Sequence, residues 1–509
     1  MRVYFLYPDR NDDPNKPLPA HADHLLRDLA LAPIIAAMAN GDQFIAATVQ
    51  QVLLNSLTDL TQITYRQAAL QDCLNHPNVI HALYQIPIKA FELKRKRWLG
   101  LFGMHYPSSI LSEARAMLIA YLDLLKELRQ LADQHRAAFQ SPAFSRFFAM
   151  IQQELSDDYL VEIEQHLRQL SFRDGILVSA GLGRGNEPGD YVLCKPNQPQ
   201  KNWLQRLIDP TPSYAYTLPP KDEAGSRMLG DLRDRSLNVV ADAVAQAATH
   251  VEGFFKILQR ELAFYVGCLH LAKRLYALQM PISFPQPLPL TQPYFAAKGL
   301  YDVSLALVSQ QPVIDNDIEA TDAKLFVITG ANQGGKSTFL RSVGIAQLLM
   351  QCGMFVPAIS FSANVCSGIF THSKREEDVT MNSGKLDEEL ARMSEIIDQL
   401  RPHALILLNE SFAATNEQEG SEIAHQIISA LLDSQMKLLF VTHLYNFARR
   451  WWRMQRTDTI FLRAERQSDG SRTFKLRVAE PQATSYGADL YYQVFGEVAQ
   501  VASDESTAA

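Results

Sequence analysis

The first part of the chain shows the hydrophobic spacing of amphipathic helices, from about residue 24 to residue 140. Apolar residues recur there every three or four positions. Examples are Leu25, Leu26, Leu29, Ile34, Ile35 and Met38. The same period with few helix breakers predicts one long helix over 109–135. It predicts a second, very long helix over 228–279, which ends before Pro281.

Two segments depart from this helical pattern. Residues 1–20 are rich in Pro, Asp and Asn and predict an extended arm. Residues 172–220 collect Gly and Pro, and they contain short runs of β-type residues at 176–178 and 191–193. The second segment therefore predicts a small β-containing insertion between helical arms.

Beyond a predicted linker at about 281–295, the pattern changes to alternating strands and helices. The predicted strands cover 324–329, 404–408 and 437–441, and the predicted helices cover 337–352, 385–400 and 418–434. This alternation favours a mainly parallel sheet with helices on both faces. Residues 459–462 and 473–478 predict a closing hairpin around Asp469 and Gly470.

Composition excludes several classes of protein. Of the 509 residues, 47% are hydrophobic and 20% charged, which is typical of globular domains. The five cysteines are scattered without a C-x-x-C pair, which argues against a disulfide framework or a zinc site and fits a reducing, cytoplasmic compartment. The first apolar run is too short for a signal peptide, and no run is long enough for a membrane helix.

The formal net charge of −7 does not indicate a strongly basic nucleic-acid-binding chain. Any DNA contact must then come from local basic patches, or from two subunits that close around a duplex. A basic run precedes Trp98 and is a candidate for phosphate contact. Its members are Lys94, Arg95, Lys96 and Arg97. The alternative is an ordinary solvated helix face.

A phosphate-binding loop is predicted between a strand and a helix, where the sequence reads G-x-x-x-x-G-K-S. Its backbone amides and the helix N-terminus would face phosphate oxygens. Lys336 would reach the β- and γ-phosphates, and Ser337 would ligate magnesium. The predicted nucleotide-binding residues are Gly330, Ala331, Asn332, Gln333, Gly334, Gly335, Lys336, Ser337 and Thr338.

Two strand ends carry the other candidates. A P-loop ATPase places an Asp for the magnesium shell and then a Glu for the attacking water at the end of such a strand. Here these positions hold Asn409 and Glu410. Glu410 is the candidate general base, or alternatively only caps the next turn. Asn409 can hold magnesium-bound water but brings no charge, so slow turnover is expected. His443 ends the next strand and is a candidate γ-phosphate contact, or a hydrogen-bonded polar residue without that role.

Residues 329–338 resemble the nucleotide loop of the MutS mismatch-repair ATPases, with an Asn two residues past the first glycine and a double Gly before Lys-Ser-Thr. The likeness is strong over about 320–495 and weaker over 24–80 and 250–280. It includes the stretches 339–358, 409–415 with Gly420, 440–443 and 485–487. The resemblance implies ATP and Mg²⁺, a homodimer, and ATP-gated motion on duplex or branched DNA, with other repair proteins as further partners.

The resemblance also places Ser383 where the family has a serine that reaches the γ-phosphate of the partner subunit's site. The alternative is a helix N-cap serine. Asn409 departs from the family's Asp, and residues 412–414 read Phe-Ala-Ala where the family has Gly-Arg-Gly. Because core-like helices begin the chain, we expect no mismatch-reading domain.

The predicted fold class is multidomain, with an α-helical core and lever domain followed by an ABC-type α/β P-loop ATPase domain. The predicted division is an arm at 1–23, helical parts at 24–171 and 226–290 around a reduced clamp-like insertion at 172–225, the ATPase domain at 291–497 and a disordered tail at 498–509. The leading hypothesis is an ATP-gated DNA clamp without mismatch reading. The alternative is a nucleotide-gated scaffold with weak ATPase activity and no DNA binding. A transporter-type ATPase subunit is disfavoured.

Overall fold

The computed structural model describes residues 1–98, 106–172, 175–186, 188–194, 217–219, 221–374, 384–467 and 471–482. The chain forms two compact units. Unit 1 comprises residues 1–3, 78–139 and 144–259, and unit 2 comprises residues 4–77, 140–143 and 260–509. The six-part division expected from the sequence stays a prediction, and its tail at 498–509 lies outside the described residues.

Helices dominate the first half of the chain. In chain order the α-helices are α1 (Ala22–Asp28), α2 (Ala32–Ala39), α3 (Gln43–Leu54), α4 (Leu60–Asn75), α5 (Pro77–Trp98), α6 (Pro107–His135), α7 (Pro142–Glu154), α8 (Asp157–Gln169), α9 (Glu223–Ala277), α10 (Val303–Ser309), α11 (Lys336–Gln351), α12 (Lys385–Ile397), α13 (Glu417–Asp433) and α14 (Tyr445–Arg453). The two long helices expected from the spacing are confirmed as α6, with 29 residues, and α9, with 55.

The strands are β1 (Leu177–Leu182), β2 (Pro188–Cys194), β3 (Gln286–Leu288), β4 (Tyr294–Leu300), β5 (Asn316–Thr321), β6 (Leu325–Thr329), β7 (Ser360–Asn364), β8 (Ile369–Ser373), β9 (Leu405–Asn409), β10 (Lys437–Val441), β11 (Thr459–Arg466) and β12 (Arg472–Val478). β1 and β2 pair antiparallel in unit 1, so the short β-type runs expected from the sequence do form strands. β11 and β12 form the predicted closing hairpin, with residues 468–470 of its turn outside the described residues.

The main sheet of unit 2 has the strand order β12-β11-β6-β10-β9-β8, and every neighbouring pair is parallel except β11 with β12. All five residues of β6 and all five of β10 are buried. Strands buried on both faces read as continuous apolar runs, which is why these were visible in the sequence. The expected mainly parallel sheet is confirmed.

A second sheet in unit 2, with the order β3-β7-β4-β5, was not predicted. The segment at 281–295, interpreted as a linker, supplies β3 and the first residues of β4. β3 has three residues, includes Pro287 and lies at the edge of the sheet. Proline is tolerated on edge strands, and so short a strand leaves little periodic signal in the sequence.

The predicted N-terminal arm has no regular secondary structure, but much of it is buried in unit 2. Phe5 and Leu6 are fully buried. The carboxylate of Glu261 accepts hydrogen bonds from the backbone amides of Phe5, Leu6 and Asp12. Arg66 Nε donates to the Leu6 carbonyl at 2.7 Å. Because the arm has no backbone hydrogen bonds of a helix or strand of its own, these long-range partners hold it in place.

An apolar core lies on one side of the main sheet. It joins buried residues of β9, β10, α13 and α14, including Trp451, which is 1% exposed. Trp452 packs edge-on against Phe461 with the ring centroids 5.1 Å apart. None of the helices in the described part of the chain combines the length and the apolar character that a membrane span requires.

Candidate nucleotide site

The phosphate loop connects the end of β6 to the start of α11, as the sequence predicted. Gly330 has φ 116° and Gly335 has φ 90°, both in the left-handed region that favours glycine. A Cβ on Gly330 would lie 2.9 Å from the Ala464 nitrogen. A Cβ on Gly334 would lie 2.8 Å from the Ala464 Cβ. The loop thus needs glycine both for its backbone conformation and for the close approach of β11.

Lys336 begins α11 and is buried, with its ammonium group turned onto the loop. Nζ donates to the carbonyl oxygens of Gly330 at 3.0 Å and Ala331 at 2.9 Å. Burial lowers the pKa of Lys336, while the negative charge of Glu410 acts in the opposite direction. A buried ammonium held only by neutral carbonyls gains from an anionic partner. Phosphate oxygens in the loop would provide that partner.

The two predicted magnesium ligands meet at the end of β9. Ser337 Oγ donates to Asn409 Oδ1 at 2.8 Å, although the residues are 72 positions apart in the sequence. The order β6-β10-β9 of parallel strands brings their carboxyl ends to one edge. Both side chains offer oxygen, which Mg²⁺ prefers, but neither carries charge. Among the described residues, no three His, Cys, Asp or Glu side chains group to hold a metal ion.

Glu410 and His443 form the second predicted pair. His443 Nε2 lies 3.0 Å from Glu410 Oε1, and both side chains are about one-third exposed, at 30% and 33%. The hydrogen bond from His443 is the largest cause that lowers the pKa of Glu410, so the carboxylate is ionised near neutral pH. Glu410 has φ 56°, and its amide donates to the Val441 carbonyl at 2.8 Å. This turn directs Glu410 toward the strand end that precedes His443.

A cavity of about 410 Å³ opens beside the loop. Residues 332–339 and Glu410 form one wall, and Tyr301, Ile314 and Phe474 belong to the other. A volume of this size and a wall of mixed polarity suit a small organic ligand that carries phosphates. Sequence reasoning missed the second wall, because its members come from loops and from β12 and follow no motif.

Of the remaining predicted residues, Lys94, Arg95 and Lys96 belong to unit 1 and are not among the residues that line this cavity. Lys94 on α5 donates to Glu252 at 2.7 Å, and Glu252 also pairs with Lys256 at 2.8 Å, all within unit 1. Arg95 and Lys96 are exposed, and the side chain of Arg97 lies outside the described residues. Ser383 also lies outside the described residues. DNA contact at the basic run and the trans-acting role of Ser383 stay predictions.

Comparison with known proteins bears on this geometry. Residues 58–278 match the family model of the MutS2 N-terminal domain, and residues 326–503 match that of MutS domain V. The second match contains the phosphate loop, Asn409, Glu410 and His443. The chain belongs to the MutS family. Within this MutS-family chain, the match to domain V covers the main sheet, whose strands from β6 onward carry the site.

Three curated proteins illustrate how far the similarity of this MutS-family chain extends. The DNA mismatch repair protein MutS of Thermotoga neapolitana is 36% identical over 37% of this chain and 24% of its own length. MutS protein homolog 4 of Homo sapiens is 28% identical over 36% of this chain and 21% of its own length. Endonuclease MutS2 of Lactiplantibacillus plantarum is 29% identical over 41% of this chain and 26% of its own length. The chain thus matches only a fifth to a quarter of these relatives.

Proposed function

We propose that this chain is an ATPase that binds ATP with Mg²⁺ and uses it to gate a homodimeric clamp on duplex or branched DNA. The observation that carries the proposal is the meeting of two polar pairs with the phosphate loop at one sheet edge. Ser337 bonds to Asn409, and Glu410 bonds to His443. Both pairs lie at the carboxyl edge of the main sheet, where the loop leads into α11. Glu410 lines the same cavity as the loop.

Each residue has a role that its geometry supports. The amides of the loop would bind the phosphates, and Lys336 would exchange its carbonyl contacts for the β- and γ-phosphates. Ser337 and Asn409 would hold Mg²⁺, which neutralises charge on the phosphates when bound. Glu410 would take a proton from the attacking water, and His443 would orient the Glu410 carboxylate. Asn409 brings no negative charge to the metal, so we expect slow turnover.

The DNA-binding part of the proposal rests on family membership. The name of the Thermotoga relative refers to DNA mismatch repair, and the helical region of this chain matches the MutS2 N-terminal domain. The basic run at 94–97 and a second copy of the chain, with Ser383 reaching the partner's nucleotide, belong to this proposal. Other repair proteins are proposed as further partners.

One observation favours the alternative, a nucleotide-gated scaffold that does not bind DNA. Lys94, the first cation of the basic run, is paired with Glu252 and so is partly neutralised within its own unit. The formal net charge of −7 also disfavours binding to the negatively charged DNA backbone. A scaffold of this kind would bind ATP at the same site and hydrolyse it slowly.

The proposal is tested by steady-state ATP hydrolysis without DNA and with plain duplex, mismatched duplex and a four-way junction. We expect one of these DNAs to change the rate. Lys336→Ala should abolish nucleotide binding. Lys324→Ala is the matched control, because Lys324 is a half-buried lysine whose ammonium group donates to Gln435 and does not contact the loop. Unchanged ATP affinity in Lys336→Ala would refute the site.

DNA binding separates the two candidate functions. Fluorescence anisotropy with labelled duplex and junction should show binding that weakens steeply with salt if phosphates are contacted. A wild-type chain that hydrolyses ATP at one low rate and leaves every DNA unbound would support the scaffold. Reversal of charge at Arg95 and Lys96, which are exposed, should reduce DNA affinity if the basic run takes part.

A further inference from the structure

A second, small cavity shares Ser337 with the larger cavity beside the loop and is also lined by Asn409. Its volume is about 20 Å³. A site needs about 10–15 Å³ of this kind of volume to hold one water molecule, so a single water fits. Five oxygen-bearing side chains are among those that line it: Asp28, Ser337, Thr371, Ser373 and Asn409. Oxygen groups of this kind are the ligands that hard cations and their bound waters prefer.

Asp28 is the acid in this lining, and it comes from far away in the sequence. It ends α1, which packs on β8: the rings of His21 and Phe370 have centroids 4.3 Å apart. Next to Asp28, Leu29 lies so close to α11 that a Cβ on Gly344 would come within 2.6 Å of Leu29 Cδ2. Two close contacts therefore position the end of α1 beside the phosphate-loop helix.

The other polar groups of the lining do not neutralise Asp28. Arg341 also lines the cavity, but its Nε and Nη2 lie 2.6 and 2.5 Å from Asp302 Oδ2, whose carboxylate is fully buried. Among the described residues, the Asp28 side chain enters no hydrogen bond or ion pair. An acid in the last turn of a helix also opposes the helix dipole, so helix stability does not explain Asp28.

Thr371 provides a second, independent indication of a ligand. It is 3% exposed, and its Oγ1 has no hydrogen-bond partner among the described residues. A buried hydroxyl without a partner costs about 1–3 kcal/mol, so such groups commonly bind a water. Ser373 stands opposite Asn409 in the β8–β9 register, which places a further hydroxyl at the same edge.

We propose that Asp28 binds a water of the magnesium shell at the ATP site and supplies the negative charge that Asn409 lacks. The inference rests on the proposed ATP and Mg²⁺ binding. Mg²⁺ keeps several waters when it binds protein, and a water in the small cavity would reach Ser337 and Asn409 on one side and Asp28 on the other. α1 then has a functional as well as a packing role.

The test compares Asp28→Asn with Asp23→Asn, a control that removes an exposed acid from the first turn of the same helix. Affinity for ADP is measured in EDTA and in Mg²⁺, and binding of Mn²⁺ to the ADP complex is measured by electron paramagnetic resonance. We expect Asp28→Asn to weaken Mn²⁺ binding about tenfold, as changes behind the direct metal ligands do. ADP affinity in EDTA should not change.

Relocation of the charge keeps the inference falsifiable if Asp28→Asn affects folding. The double variant Asp28→Asn with Asn409→Asp restores one carboxylate to the same cavity, so it should recover most of the Mn²⁺ affinity. If Asp28→Asn binds Mn²⁺ as tightly as Asp23→Asn does, the proposed role of Asp28 is overturned. ADP binding by the same variant would still support the nucleotide site. Absence of ADP binding by the wild type would overturn both.

Discussion

His372 Nδ1 lies 2.6 Å from Ser411 Oγ, the residue directly after Glu410. The other ring nitrogen lies 3.1 Å from the Glu389 carbonyl, which can only accept, so Nε2 carries a hydrogen. The Ser411 hydroxyl also lies 3.0 Å from the carbonyl of His372. Since Glu410 and Phe412 on either side both have positive φ, this buried contact holds a strained turn that presents the candidate general base.

Ser411→Ala should destabilise the protein and slow hydrolysis. Ser411 is fully buried, and its loss leaves His372 Nδ1 without this partner, at a cost of about 1–3 kcal/mol. Urea denaturation measures the loss of stability. The affinity for ADP should not change, since the phosphate loop is untouched. Ser434→Ala, at the exposed end of α13, is the control and should leave both quantities near wild type.

Glu410→Gln should lower kcat and leave nucleotide binding intact. The lowered pKa of Glu410 keeps the carboxylate ready to accept a proton, and a glutamine cannot do so. The loss of a general base costs about 10²–10⁴ in rate. Single-turnover hydrolysis measures it. Glu395→Gln changes an exposed acid on α12 and should have no effect. A wild-type rate in Glu410→Gln would assign Glu410 to the turn alone.

Gly330→Ala should impair both folding and nucleotide binding. The added Cβ meets the Ala464 backbone at 2.9 Å, and the residue must keep φ 116°. Overpacking of this kind costs about 1–3 kcal/mol. Gly253→Ala on α9 is the matched control, because nothing lies within 4 Å of its Cβ. That change should stabilise the helix by about 0.5–1 kcal/mol. Equal melting temperatures for the two variants would contradict the close approach of β11 to the loop.

Glu261 should make stability depend on pH. Burial raises its pKa from 4.5 to about 7, even though three backbone amides donate to the carboxylate. An acid whose pKa is higher in the folded state stabilises the fold most below its unfolded pKa. That contribution is lost as the pH rises through the folded value. The free energy of unfolding should therefore fall between about pH 4.5 and 7.

Urea denaturation over this range, for the wild type and Glu261→Gln, measures that dependence. The glutamine variant should be less stable overall, because it offers fewer acceptors to the arm, but its stability should vary less with pH. A wild-type stability that rises steadily from pH 5 to 7 by the same amount in both proteins would assign the dependence to other groups.

The sequence by itself determined the features that depend on neighbours along the chain. The phosphate loop is eight contiguous residues between a strand and a helix, and the long helices α6 and α9 follow from apolar spacing. The strand ends at Asn409 and Glu410 were visible because β9 is an unbroken apolar run. Such signals are local, so no knowledge of long-range packing was needed to find them.

Only the tertiary structure decided which distant groups meet. The order of parallel strands sets Ser337 against Asn409, and the turn at Glu410 sets its carboxylate against His443. The second wall of the cavity, the buried arm held by Glu261 and the place of Asp28 beside α11 come from segments with no motif. Their positions follow from the register of the sheet and from the close packing of helices on it. Many different sequences are compatible with the same register and packing, so these positions leave no local signal in the sequence.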